Sequence, residues 1–412
     1  MACFSDLPNE LLCKVCSHLG QQELAHVSLV SHNLRLVAEP FLYRDVLLNT
    51  FRKPPPLFGS FLQTIRSNRA LPNYVQALAL RWHSSPEPVR YPPSMNVWLF
   101  GMVMSIFAVT LPPLPPLPPH PHGESIMLLL RALPRLEVLR LWPANDLEIF
   151  DGPFPCTNPP VLEHLREVRC YWTNTRNAVD LATFMFLIMQ PSLRTFEAPV
   201  MGSRPYSHVF MIDDYFIGKS MVTDLRLSYG YMLPQTLESV LQLPRALTSF
   251  SYTNLPRVLF DVHALGMMLK RIVSPTLQFL ALTLGHESDV WNRTFITYHW
   301  PYSTIGSLRE WPVLWSIRSS LIVLLGRGRA QSTLRLIDVL PVVIRELEIE
   351  IDPYWTCTEI ADEVVEMLHL RGTGDFEQLA VITLPVEVYV AARWLGVACD
   401  VAGVELVLTR CW

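Results

Sequence analysis

A short spacing of apolar residues recurs along most of the chain. The pattern is apolar-x-x-apolar-x-apolar, usually a few residues after a proline, and it occurs in ten copies. In chain order they read VQALAL, LEVLRL, LREVRC, LRTFEA, VTDLRL, LTSFSY, LQFLAL, IRELEI, FEQLAV and GVELVL. Alternating apolar positions in such short segments predict β-strands. Recurrence along the chain predicts a repeat architecture, because each unit leaves an apolar face that its neighbours must cover.

The distance between copies is the second observation. The middle apolar residues of six consecutive copies lie about 25 to 30 residues apart, at Leu139, Val168, Phe196, Leu225, Phe250 and Leu280. The intervals from Leu78 to Leu139 and from Leu280 to Leu347 are about 61 and 67 residues, close to two repeats. We therefore expect one degenerate unit in each long interval.

Helical stretches separate the predicted strands, among them ESIMLLLRAL, AVDLATFMFLIMQ, DVHALGMMLKRIV and EIADEVVEMLHL. A strand and a return helix at this period resemble the leucine-rich repeat, whose units stack into a solenoid. The asparagine that commonly follows the strand in that family is within reach at Asn145 and Asn254. An unrelated α/β domain with parallel strands is the alternative interpretation.

The first 47 residues have a different pattern, that of three short helices. Asp6 can cap the first helix, Pro8 suits its first turn and Gly20 ends it. A second helix is predicted from about Gln22 to Ser31, and a third follows with apolar residues at Leu34, Val37, Phe41 and Leu42. The apolar arc of the first helix covers about half its circumference. So small a unit cannot bury all of this surface by itself, so part of it should meet another surface.

These N-terminal residues resemble an F-box. The resemblance rests on LPNELL followed by ELAHVSLVSHNLRLVAEPFLYRDV, whose ending is similar to the variant common in fungal F-box proteins. It implies docking on a Skp-type adaptor, and through it on a cullin ubiquitin-ligase scaffold. The implied adaptor contacts are Leu7, Pro8, Leu11, Leu12, Val15, Leu19, Leu24, Val27 and Val30. An ordinary helical cap on a larger domain is the alternative.

The predicted architecture is therefore α plus α/β, with an F-box domain at residues 1–47 and a leucine-rich-repeat-like solenoid at residues 48–412. The proline-rich stretch LPPLPPLPPHPHGE at 111–124 should adopt extended polyproline II, and its residues 111–122 are predicted to be an insertion that acts as a spacer; a ligand for an SH3 or WW domain is the alternative. The apolar run from Val97 to Leu111 is too short to span a membrane and reads as a core helix. The aromatic-rich region at 285–320 is either a protein-binding loop or the cover of a degenerate repeat.

The net charge and the cysteines indicate which classes of partner and which cellular compartment to expect. Lys and Arg number 33 against 37 Asp and Glu, for a net charge of −4, which gives no reason to expect nucleic acid or an acidic membrane as partner. The eight scattered cysteines and the absence of a signal-peptide pattern predict a reduced protein of the cytoplasm or nucleus. Cys13 and Cys16 have a zinc-like spacing but lie on an apolar helix with no second pair, so we expect neither a metal nor a cofactor.

No catalytic signature was found, so we expect a binding protein and not an enzyme. The outward-facing strand residues Arg140, Arg226, Glu348 and Glu350 should line one concave surface, and their mixed charge favours a protein partner. The predicted function is that of the substrate-recognition subunit of a Skp-cullin-F-box ubiquitin ligase. Two alternatives remain: a scaffold that binds the adaptor without ubiquitin transfer, and an enzyme in the α/β region.

Overall fold

The fold was analysed in a computed structural model. It describes residues 7–51, 56–83, 121–142, 161–171, 185–199, 214–228, 234–255, 261–284, 303–352, 354–371 and 374–410. The predicted core helix at 97–111, residues 111–120 of the proline-rich insertion, Asn145, and residues 285–302 of the aromatic-rich region lie outside these ranges.

Helices occur in two settings, at the N-terminus and between strands. The three N-terminal helices are α1 (Asn9–Cys16), α2 (Gln21–Val30) and α3 (His32–Leu42). The later ones are α4 (Pro56–Ser67), α5 (Pro121–Arg131), α6 (Met185–Ile188), α7 (Pro234–Gln242), α8 (Val262–Ile272), α9 (Leu321–Leu325), α10 (Gly328–Gln331), α11 (Leu336–Val339), α12 (Cys357–Arg371), α13 (Val386–Ala391) and α14 (Trp394–Ala402). Short 3₁₀ turns lie at Leu71–Asn73 and Asp214–Phe216.

The described strands form one sheet of twelve, all parallel and in chain order. They are β1 (Asp45–Phe51), β2 (Ala77–His83), β3 (Val138–Trp142), β4 (Glu167–Cys170), β5 (Thr195–Pro199), β6 (Asp224–Ser228), β7 (Ser249–Leu255), β8 (Phe279–Leu284), β9 (Ser316–Ser320), β10 (Glu346–Glu350), β11 (Val381–Pro385) and β12 (Glu405–Thr409). Because parallel neighbours need a crossover, each connection returns the chain to the same end of the sheet. The N-terminal helices are thus followed by a leucine-rich-repeat-like solenoid.

One residue from each strand forms a continuous apolar row across the sheet. The row is Val46, Leu78, Leu139, Val168, Phe196, Leu225, Phe250, Leu280, Ile317, Leu347, Ile382 and Leu406. Its inner members, from Leu78 to Ile382, are at most 2% exposed. They pack against the return helices in one long core. The repeat predicted from the apolar spacing is confirmed, because nine of these residues are the middle positions of the predicted copies.

The prediction of one degenerate unit in each of the two long intervals is correct for one interval and wrong for the other. Between Leu280 and Leu347 the predicted degenerate unit exists: β9 places Ile317 between them in the row. Between Leu78 and Leu139 the prediction of a hidden unit is wrong, because these two residues pair directly and leave no place for a strand. The extra length there is an insertion in one connection of the solenoid.

Two further expectations are corrected in detail. The copy placed at Phe376 is out of register by three residues: Leu379 and Ile382 occupy the first two apolar positions, while the buried Phe376 stands before them at φ 58°. Residues 121–124, expected in extended polyproline II, belong to α5, which begins at Pro121. Proline is favoured in the first turn of a helix because its missing N–H would have no partner there.

The first strand overlaps the predicted domain boundary. β1 starts at Asp45 and pairs with β2 over its whole length, so residue 47, the predicted domain boundary, lies inside a strand. The repeat spacing is in fact present here, at Tyr43, Val46 and Leu48. The same segment was assigned to the F-box because it also matches the end of that pattern. By strand pairing, residues 45–47 belong with the sheet.

Candidate protein-binding surfaces

An exposed apolar stripe runs along the first helix. Leu7, Leu11 and Val15 are 36%, 49% and 36% exposed; the four-residue spacing of Leu11 and Val15 puts them on one side of α1, and Leu7 precedes its N-cap. Pro8 stands at the N-cap, and its carbonyl accepts the N–H groups of Leu11 and Leu12 at 3.0 and 3.1 Å. Asp6, the predicted cap, lies outside the described residues. We call Leu7, Leu11 and Val15 the α1 stripe.

The adjacent side of α1, about 100° around the helix from Leu11 and Val15, forms a small core with the other two helices. This core consists of Leu12, Cys16, Leu24, Leu34, Val37 and Ala38. Leu12 and Leu24, two of the residues predicted to contact the adaptor, are 0% and 3% exposed and are therefore not on the surface of the described structure. Leu19 and Val27 are half-buried and pack against the same core. This packing against α2 and α3 fixes the position of α1 and so of the α1 stripe.

A second exposed apolar site lies at the end of α2. Leu29 and Val30 are 83% and 73% exposed, and of these only Val30 was among the predicted adaptor contacts. Ser31 alone joins α2 to α3, and its hydroxyl caps α3 by accepting the N–H of Leu34 at 3.2 Å. This one-residue connection leaves the end of α2 at a corner of the unit. Leu29 was missed because helical spacing alone does not reveal which apolar side chains the other helices leave uncovered.

The helical unit joins the sheet through two residues, Tyr43 and Arg44. The Arg44 carbonyl accepts the N–H groups of Gln76 and Ala77, each at 2.9 Å, and Tyr43 packs against the solenoid core. The Gln21 side chain also donates to the Asp45 carbonyl, which ties the start of α2 to the first strand.

The cysteine pair of the first helix does not form a metal site in the described structure. Cys16 is buried, and burial and the neighbouring Cys13 both raise the pKa of its thiol. In the described ranges, no group of three His, Cys, Asp or Glu side chains is close enough to hold a metal ion. No helix within those ranges has the length and apolarity needed to cross a membrane.

On the side of the sheet away from the core, a row of mostly polar residues crosses all twelve strands. We call this the open face. Its central row is Leu47, Ala79, Arg140, Arg169, Glu197, Arg226, Ser251, Ala281, Arg318, Glu348, Thr383 and Val407. Arg140, Arg226 and Glu348 share this row and Glu350 lies two residues further along β10, so their predicted common surface is confirmed.

Most charges on the open face are paired. Arg226 lies 2.6 Å from Asp224, and this hydrogen-bonded pair raises the pKa of the guanidinium. Arg318 lies 3.4 Å from Glu348 and 2.9 Å from Glu350. These pairs cross or follow the strands and match charge locally, but at exposed sites they contribute little stability.

Arg169 has the most crowded surroundings on this face. It lies 2.7 Å from Glu167 and 3.8 Å from Glu197. Burial lowers the pKa of Arg169, but hydrogen bonds to Tyr171 and Glu167 outweigh that effect and raise it. The Tyr171 ring stacks on Trp142 with ring centroids 4.5 Å apart and planes inclined by 18°.

The described part of the aromatic-rich region contributes to the core. Trp311 is 2% exposed and belongs to the solenoid core beside Ile305, Leu308 and Leu314, just ahead of β9. For Trp311, the interpretation as cover for a degenerate repeat is therefore confirmed.

Comparison with known protein families gives a match for the N-terminal helices. Residues 4–49 match the model of the F-box-like family, a range that covers α1 to α3 and the start of β1. No match was found among curated proteins. The chain thus has an F-box-like domain followed by a long parallel solenoid, and such a domain implies binding of a Skp-type adaptor.

Proposed function

We propose that the chain is the substrate-recognition subunit of a Skp-cullin-F-box ubiquitin ligase. The α1 stripe carries this proposal. Leu7, Leu11 and Val15 lie within the residues that match the F-box-like model and form an exposed apolar surface on a helix whose other side is fully packed. Burial of such side chains against an adaptor is favourable by roughly 25 cal/mol per Å² of apolar surface.

The adaptor surface in this proposal includes the α1 stripe, Pro8, Val30 and the neighbouring Leu29. Leu12 and Leu24 act from beneath, because their burial fixes α1 against α2 and α3. Leu19 and Val27 lie at the margin between this core and the surface. The LVS…LR…A.P.LYR.V ending further supports the fungal type of F-box.

The solenoid would hold the target. Its open face carries paired charges of both signs, a pattern suited to a polar protein surface and not to a polyanion. The chain itself would perform no chemistry. Its contribution would be proximity, since a target held beside a charged ubiquitin enzyme reacts as if at high local concentration.

Co-purification of the full chain with a recombinant Skp-type adaptor and cullin tests the proposal. Leu11→Arg should abolish adaptor capture, because it places a charge in an apolar interface. Met267→Arg is the matched control, since Met267 is 56% exposed on α8 of the solenoid. Adaptor capture by Leu11→Arg at the level of the unaltered chain would contradict the interface.

Ubiquitin transfer separates the receptor from a scaffold. In a reconstituted complex with ubiquitin-activating and ubiquitin-conjugating enzymes, a receptor should support modification of a bound target or of itself. Stable adaptor binding with no transfer in any such mixture would favour a scaffold that only assembles on the adaptor.

A further inference from the structure

The open face contains one arginine that stands apart from the ion pairs around it. Arg140 on β3 is exposed, and in the described part of the chain it has no carboxylate partner. By contrast, Arg169 and Arg226 in the same row have carboxylates at 2.7 and 2.6 Å. Within the described ranges, one positive charge is therefore without a matching carboxylate at this end of the sheet.

The surroundings of Arg140 differ on its two sides. Towards β1 its row continues with Ala79 and with Leu47, which is 52% exposed, so this row is low and apolar there, while the exposed Arg81 of β2 lies in the next row opposite Trp142. Two residues further along β3 is Trp142, which faces the same side of the sheet and stacks on Tyr171. The Arg140 guanidinium thus has the stacked Trp142 and Tyr171 rings on one side and the apolar residues Ala79 and Leu47 on the other.

We propose that this cluster, the Arg140 site, binds an unmodified segment of the target protein that carries a carboxylate beside an aromatic or large apolar side chain. Arg140 receives the Asp or Glu carboxylate, and the Trp142 and Tyr171 rings receive the neighbouring side chain. Arginine and aromatic residues dominate the binding energy of protein interfaces because they combine large contact areas with directional bonds. The inference rests on the proposed function, for which it specifies the class of target.

The charge balance favours a carboxylate over a phosphate. Glu167 and Glu197 lie at 2.7 and 3.8 Å from Arg169, the neighbour of Arg140 in the row. Arg169 is therefore already neutralised, and its carboxylates would repel a dianion. One unmatched guanidinium fits one carboxylate.

A selection experiment on the full chain in complex with a Skp-type adaptor tests the site. Random 12-residue peptides displayed on phage are selected in parallel on the unaltered chain, on Arg140→Gln and on Arg271→Gln. Arg271→Gln is the matched control, because Arg271 lies on the return helix α8, away from the open face, and already has its own carboxylate in Glu238. We expect Asp or Glu next to an aromatic or Leu residue to be enriched on the unaltered chain and on Arg271→Gln, but not on Arg140→Gln.

Affinities of one synthetic enriched peptide, measured by fluorescence anisotropy, give the magnitude. Arg140→Gln, or replacement of the peptide's acidic residue by its amide, should weaken binding by about tenfold or more, as expected for a hydrogen bond between charged groups. Trp142→Ala should also weaken it, and Arg271→Gln should change it less than about threefold.

Three outcomes would overturn the site: no acidic enrichment relative to Arg140→Gln, equal affinity for the amide peptide, or tighter binding of a phosphoserine version. Adaptor capture is measured on the same samples. If the unaltered chain captures the adaptor but shows no selectivity for acidic peptides, the Arg140 site alone is refuted. If the unaltered chain fails to capture the adaptor, the ligase proposal is refuted.

Discussion

The side-chain oxygen of Gln190 accepts the main-chain N–H of Leu162 at 2.7 Å, across 28 residues of sequence. Gln190 is 5% exposed, and its amide nitrogen donates to the Phe186 carbonyl at 2.8 Å. The residue therefore joins the turn before β4 to the turn before β5. A single buried glutamine here satisfies main-chain groups of two successive units of the solenoid.

Gln190→Leu should destabilise the middle of the solenoid by about 1–3 kcal/mol, because it leaves the buried N–H of Leu162 without a partner. Hydrogen exchange should show faster exchange of the Leu162 amide. Gln378→Leu, at an exposed position, is the control and should change stability by less than about 0.5 kcal/mol. Unchanged protection of Leu162 in Gln190→Leu would contradict this role.

Two helical glycines give a matched test of packing. A Cβ on Gly266 in α8 would lie 1.9 Å from the main-chain oxygen of Ile305, which cannot move aside as a side chain can. Gly266→Ala should therefore lower the thermal unfolding midpoint, with a cost of at least about 1–3 kcal/mol. A Cβ on Gly396 in α14 would meet the Tyr389 ring at 3.3 Å.

Gly396→Ala should be neutral or stabilising by up to about 1 kcal/mol, because alanine is the better helix former and the Tyr389 side chain can shift. Similar unfolding midpoints for the two alanine variants would show that the contact between α8 and Ile305 is not rigid.

Helix α12 begins with a capping box. The Thr356 N–H and hydroxyl each donate to the Glu359 carboxylate at 2.8 Å, and the Thr356 hydroxyl accepts the Glu359 N–H at 3.2 Å. Bonds from the Thr356 main chain and side chain lower the pKa of Glu359. Its contribution to stability is therefore present above the unfolded pKa, near 4.5, and is lost as the pH falls through the lower folded value.

Thr356→Ala should cost about 1 kcal/mol at pH 7. Glu359→Gln should reduce the loss of stability between neutral pH and pH 4, as followed by urea unfolding at each pH. Parallel pH profiles for Glu359→Gln and the unaltered chain would contradict the assigned titration.

Cysteine reactivity should differ along the chain. Cys399 is fully buried, and burial followed by the charge of Asp400 raises the pKa of its thiol to about 11. Because the folded value exceeds the usual 9.0, the thiol stays protonated as the pH rises through 9, and stability falls between pH 9 and 11 as the unfolded thiol ionises. Iodoacetamide at pH 8 should label the partly exposed Cys13 and Cys357 before Cys399, as measured by mass spectrometry. Early labelling of Cys399 would indicate that α14 opens readily.

The sequence predicted most of the sheet because each strand must present one apolar residue to the core. It did not reveal β1, whose spacing of Tyr43, Val46 and Leu48 overlapped another pattern. Nor did it locate β9, in which the last apolar position is Ser319, a buried residue whose hydroxyl donates to the Leu282 carbonyl at 2.9 Å. A side chain that satisfies its hydrogen bonds inside the core can replace an apolar one.

For the candidate adaptor surface, the apolar arc pointed to the first helix but did not separate its exposed residues from its buried ones. Leu11 and Leu12 are adjacent, equally apolar residues of an arc half the helix wide, yet one is 49% exposed and the other is buried. Their difference is set by where α2 and α3 pack, which depends on contacts distant in sequence. Similarly, the sequence could not show that Arg140 differs from Arg169 and Arg226. That difference depends on which carboxylates the strand pairing places beside each arginine.

The junction between α3 and β1 has a mechanical consequence. Only two residues connect α3 to β1, and Gln21 and Arg44 form hydrogen bonds across this junction. The solenoid is therefore attached to the helices as a stiff arm and not through a flexible linker. A turn of a few degrees at the helices is magnified along twelve strands spaced roughly 4.8 Å apart. Any partner that seats on the helices therefore also determines where the far end of the arm points.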